Sequence, residues 1–209
     1  MVKRRVQQEP AIAKYVTFPV PTLHEPINIE WDFDHLLLYI KVVEEFANWY
    51  QKYKVDQFEN DKAMNLTMIL ARLEACFKAA NVPSQIEGYA TPFSSLTSKE
   101  RACIELVTDE VAKGRRPIVF ARSPAVLHRF AAEFDKAGIT NFVFSGEENI
   151  KKRLVKLDNN IRNGDTQVML ATLGVTSDGL NLYQLNTFIF YNRSWCVFRR
   201  IMNTHSDRR

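Results

Sequence analysis

The sequence predicts an α/β fold, a parallel sheet flanked by helices with a helical segment ahead of it. Four short β-type runs, 117–122, 140–145, 167–171 and 187–191, occur in the second half, and helical patterns separate the first three. Two apolar stripes with three- and four-residue steps occupy residues 34 to 80. A polar, glycine-bearing loop, Thr172-Leu-Gly-Val-Thr-Ser-Asp-Gly-Leu-Asn-Leu182, joins the last two β-type runs. In open α/β sheets such loops, beyond the carboxyl ends of strands, are where ligands gather.

Taken in order, residues 1 to about 30 carry prolines at 10, 19, 21 and 26, which exclude a long helix and predict an extended arm. A helix is expected from Asp34 to about Tyr53, its stripe formed by Leu36, Tyr39, Ile40, Val43, Phe46, Tyr50 and Tyr53. A second runs from about Asn65 to Ala80 on Leu66, Ile69, Leu70, Leu73 and Phe77, and stops before Pro83. The two should pack as a hairpin. After a Pro/Ser/Thr/Gly-bearing connection, Thr97-Ser-Lys-Glu100 has capping-box spacing and opens a helix that closes at Gly114.

The alternation begins at Pro117. The run PIVFAR is a buried-type strand, and Ser123-Pro124 places an N-cap and a first-turn proline before a helix ending at Gly138. The strand TNFVFS follows, then a helix face of Ile150, Leu154, Leu157 and Ile161 closed by Asn163-Gly164. Parallel strands joined by helical crossovers are the arrangement this order implies. The aromatic run Phe188-Ile-Phe-Tyr191 and Trp195 are expected in the core.

Composition narrows the function. The 209 residues are 46% hydrophobic, enough for a packed core, and the net charge is +4. From Arg193 onward there are five arginines and one acid, so the excess sits at one end. Such an end is either a phosphate contact or a solvated tail. Three widely spaced cysteines suggest neither a disulfide framework nor a zinc site, and the four histidines, expected on helix surfaces or in loops, form no metal-ligand pattern. No signal-peptide-like start and no membrane-length apolar run occur, so a cytoplasmic location is expected and no membrane partner.

Arg116-Pro-Ile-Val-Phe-Ala-Arg-Ser123, Phe144-Ser-Gly146 followed by Lys152-Arg153, Asp178-Gly-Leu-Asn-Leu182 and Thr187-Phe-Ile-Phe-Tyr-Asn-Arg-Ser-Trp195 occur in an order with a known counterpart. Together they resemble motifs IV to V and the following strand of the C-terminal RecA-like lobe of superfamily-two helicases and translocases, in the Swi/Snf-type DNA-dependent ATPase branch. The resemblance covers nearly the whole chain. It implies a RecA-like parallel sheet, with 1–33 as an interlobe linker, 34–97 as a helical segment and 98–209 as the C-terminal RecA-like domain, cut short near motif VI.

What the resemblance implies for sites is specific. Asp178, Gly179 and Asn181 would face a nucleotide. Arg122, Ser123, Ser145, Gly146, Thr172, Ser177, Arg199 and Arg200 would face a nucleic-acid backbone, most naturally duplex DNA. Arg208 and Arg209 are candidates for an arginine finger. ATP and Mg2+ would be held mainly by an N-terminal RecA-like lobe, because no GxxxxGK[ST] signature occurs in these residues. Two departures stand out. Val175-Thr176-Ser177 replaces the branch's Ala-Gly-Gly, and the residues after Trp195 match motif VI poorly. The alternative is a non-catalytic α/β module that binds nucleic acid or protein. A flavodoxin-like enzyme using the Thr172 loop for a phosphorylated ligand ranks last, since no nucleophile–base pair supports it.

Overall fold

In the computed structural model, residues 22–60, 63–89, 91–175, 182 and 184–192 are described. Helix α1 (Phe33–Glu59) and helix α2 (Leu66–Asn81) form the expected antiparallel hairpin. Helix α1 outruns its predicted end by more than a turn. Within the helix Trp49 stacks on Tyr53 at 5.0 Å, and Arg72 of α2 lies 4.3 Å from the Trp49 ring, which ties the two helices together. Asn65 caps α2 by accepting from the Met68 N–H, and its own N–H donates to the Tyr53 hydroxyl at 2.7 Å.

One histidine departs from expectation. His35 is buried in the hairpin base, where its ring N–H donates to the Ala79 carbonyl at 2.7 Å. The apolar stripe tolerates it because that bond satisfies the ring.

A short 3₁₀ turn (Pro83–Gln85) leads on to helix α3 (Ser98–Ala112), whose capping box is complete. Thr97 accepts from the Glu100 N–H, and the Glu100 carboxylate accepts from the Thr97 N–H at 2.8 Å. Glu100 is buried and also meets Arg129, with Nε 2.9 Å from Oε1. Arg129 Nη1 donates to the Phe93 carbonyl and Nη2 to the Ser95 carbonyl and to Glu100 at 3.1 Å, so Glu100 gains a charge-assisted hydrogen bond, while Nε stands in ion-pair contact without hydrogen-bond geometry.

Strand β1 (Pro117–Ala121), helix α4 (Pro124–Lys136), strand β2 (Asn141–Phe144), helix α5 (Ile150–Leu157), strand β3 (Val168–Thr172) and strand β4 (Thr187–Phe190) complete the order. The sheet reads β2-β3-β1-β4 and every pairing is parallel. Burial explains the sequence runs. Strands β1 and β3 are buried at every position, whereas the outer strands β2 and β4 alternate.

Helices α3 and α4 cover one face through Val107, Val126, Phe130 and Phe134 against Val119, Leu170 and Tyr191. The other face packs Ile118, Phe120, Met169 and Phe144 against Leu157 and Ile161. Gly114 and Gly138 end α3 and α4 at φ of +72° and +70°, the left-handed geometry predicted for them.

The structure corrects two further expectations. Phe188 and Phe190 are not core: among the described residues they are 54% and 44% exposed and stack on Phe120, because no described helix covers that face beyond the β3 side. The segment after α5 does not close on a left-handed glycine. It passes through a π turn (Asp158–Arg162), and Gly164 is required there because a Cβ would stand 2.2 Å from the Asn159 carbonyl oxygen. Among the described residues no helix is long and apolar enough to cross a membrane.

Candidate functional site

Four parallel strands bring their carboxyl ends to one edge. The register pairs Ala121 with Thr172, Phe144 with Ala171, and Phe120 with Phe190. Arg122 and Ser123 after β1, Ser145 and Gly146 after β2, and Thr172 at the end of β3 therefore stand along one row. Asp178, Gly179, Asn181, Ser177, Arg199, Arg200, Arg208, Arg209 and Trp195 lie outside the described residues.

The five described candidates differ in availability. Thr172 is buried, and its carbonyl accepts from the Val175 N–H at 3.2 Å, turning the chain. Ser145 is also buried and donates its hydroxyl to Glu147 at 2.9 Å. His128 meets the same carboxylate at 2.9 Å, and with Ser145 it holds the Glu147 carboxyl below its ordinary range. Gly146 is exposed, and a Cβ there would make only ordinary contact, 3.7 Å from Val175. Ser123 occupies the N-cap position of α4 with no side-chain capping bond, the proline supplying the first helical residue. Its hydroxyl is thus not committed to the cap.

Arg122 is the most developed of them. Its backbone N–H donates to Asn192 Oδ1 at 3.1 Å, its guanidinium lies over the Phe77 ring at 4.3 Å, and Nη2 donates to Glu74 at 2.5 Å. The side chain is still half exposed. Arg122 thus brings a half-exposed cation to this edge.

Sequence reasoning missed the polar network behind Arg122. Asn192 donates to Asn81 Oδ1 at 2.5 Å, Lys99 donates to the same oxygen at 2.6 Å, and the Tyr191 hydroxyl donates to the Asn81 carbonyl at 3.2 Å. Lys99 lies 4.5 Å from the Tyr191 ring, and burial lowers its affinity for a proton. Burial also pushes the Tyr191 phenol upward. Through these groups the helical hairpin is bolted to the end of β4. Nothing local in the sequence marks Asn81 or Asn192, which are 111 residues apart.

A cleft of about 360 Å³ lies beside β2, its charged and polar side chains His128, Ser145, Glu147, Glu148, Lys156 and Asn160 set against Phe142 and Val143. Its charges are already paired, Lys156 with Glu148 and His128 with Glu147. Among the described residues no three His, Cys, Asp or Glu side chains are grouped to hold a metal.

Comparison with known proteins sets this edge in context. No family model matches the chain. An uncharacterised ATP-dependent helicase of Mycoplasma pneumoniae is 26% identical over 145 residues, 68% of this chain but 13% of the helicase. The chain thus spans a small part of that relative's length. The C-terminal domain of the Sulfolobus solfataricus SWI2/SNF2 ATPase superposes with a TM-score of 0.53 at 19% identity, covering 73% of this chain and 68% of that domain. The same ATPase's core in complex with double-stranded DNA superposes with a TM-score of 0.60 at 15% identity, covering 82% of this chain and 36% of that core. The chain shares the fold of that ATPase's C-terminal domain. On this fold, Arg122, Ser123, Ser145, Gly146 and Thr172 occupy the carboxyl edge of the sheet. The α1–α2 hairpin stands against that edge through Glu74, Phe77 and Asn81.

Proposed function

We propose that this chain works as the C-terminal lobe of an ATP-dependent DNA helicase or translocase, gripping the backbone of duplex DNA along the carboxyl edge of its sheet. The observation that carries this reading is the row formed by Arg122, Ser123 and Thr172 at the ends of adjacent parallel strands, with the Arg122 side chain half exposed. A guanidinium and a hydroxyl not used as a cap suit phosphate oxygens and carry no base preference. The superposed core bound to double-stranded DNA supports duplex as the ligand.

In this proposal Ser145, Gly146, Ser177, Arg199 and Arg200 extend the backbone contact. Asp178, Gly179 and Asn181 face a nucleotide, and Arg208 and Arg209 approach its phosphates. ATP with Mg2+ would supply the energy that moves two lobes against each other. The phosphate-gripping signature is absent from these 209 residues, so that grip is assigned to a second lobe. What the chain's own residues do is hold and orient the DNA backbone.

The test is duplex binding by the 209-residue chain as a function of salt. Binding should weaken steeply with salt, and Arg122→Ala should flatten the slope of log K against log salt by about 0.9, one phosphate contact. Absence of duplex binding at low salt would sink the proposal.

A further inference from the structure

We infer that Glu74 is a built-in competitor for the phosphate-binding head of Arg122, so that DNA must displace an ion pair this chain makes with itself. The inference rests on the reading of the sheet edge given above and assigns it a restraint. The backbone of Arg122 is held by Asn192, itself fixed on Asn81, so the residue cannot swing away as a unit. Its guanidinium carbon lies over the Phe77 ring, 4.3 Å from the centroid, so the ring backs one side of the head. Glu74, one helical turn before Phe77's neighbour Lys78, reaches the same head from α2 and takes Nη2 at 2.5 Å.

Three features make this a competitor and not a structural bridge. Both side chains are well solvated, 51% and 38% exposed, and such a pair contributes little to stability. A carboxylate and a phosphodiester seek the same donors with the same charge, so neither is neutral toward the other. Glu74 also points away from the α1 side of α2, where Arg72 faces Trp49, so it has no described role in holding the hairpin together. A phosphate arriving at Arg122 therefore meets an adjacent negative charge. The hairpin thereby sets how readily the edge accepts DNA.

Anisotropy of a fluorescein-labelled mixed-sequence duplex of about 20 base pairs, at about 50 mM salt, tests this with the full 209-residue chain. Glu74→Gln keeps the side chain's shape and removes the charge, and should tighten binding about three- to tenfold, the effect of lifting one like charge several ångströms from a phosphate. In the Arg122→Ala background the same substitution should give no gain. Weaker or unchanged binding in Glu74→Gln, while Arg122→Ala still loses affinity, would overturn the inference and make Glu74 an orienting group. An equal gain in both backgrounds would also overturn it, as a general charge effect. If Arg122→Ala leaves binding unchanged, the edge itself is misassigned and both readings fall. An unchanged urea midpoint for Glu74→Gln is expected from the solvated pair, and it separates an effect on binding from one on folding.

Discussion

Asn192 shows how one amide can tie distant segments. Its oxygen accepts the Arg122 N–H and its nitrogen donates to Asn81, with the whole group buried. Asn192→Ala leaves a buried N–H without a partner and should lower stability by about 1–3 kcal/mol in urea unfolding. A second residue gives a pH signature. Glu110 is held mainly by Arg115, then by Lys113, and its carboxyl falls to about 2 from an ordinary 4.5. Thr187 adds a hydroxyl donor from β4 at 3.3 Å. A depressed carboxyl stabilises the folded state above the ordinary value and loses that contribution as pH drops toward the folded one. The stability difference between wild type and Glu110→Gln should therefore be constant near neutral pH and shrink between pH 4.5 and about 2. A difference that does not change across that window would show the ion pair contributes nothing.

The helices were legible because their signals are local. The Thr97–Glu100 capping box, the Ser123–Pro124 start and the closing glycines lie within a few residues of the turns they define. Gly138 has nothing within 4 Å of a built Cβ, so Gly138→Ala meets no clash. Its penalty is the left-handed backbone alone, about 1 kcal/mol, readable as a thermal shift. A much larger loss would mean that packing, not φ, selects glycine there. Less legible was the π turn before Gly164, since a close backbone approach leaves no periodic trace.

For the whole molecule, the sheet's two faces differ in cover. Helices α3 and α4 blanket one face, while α5 and the π turn cover only part of the other and leave Phe188 and Phe190 open. The chain covers 36% of the superposed ATPase core and lacks the GxxxxGK[ST] signature. Purified alone, it should show no measurable ATP turnover in a phosphate-release assay. Robust turnover would refute the assignment of the nucleotide grip to another lobe.

By itself the sequence determined the order of strands and helices, the parallel class of sheet and the row of polar residues beyond strand ends. Each of those follows from periodicity, caps and chain order, which act over a few residues. The tertiary structure alone decided that Arg122 is held by Glu74 over Phe77, that Asn81 and Asn192 bolt the hairpin to β4, and that two strand phenylalanines face outward. Those are contacts between segments 45 to 111 residues apart in the chain, between Phe77 and Arg122 at the near end and Asn81 and Asn192 at the far end. A partner chosen at such a distance is set by how the helices pack on the sheet, not by the neighbours of either residue.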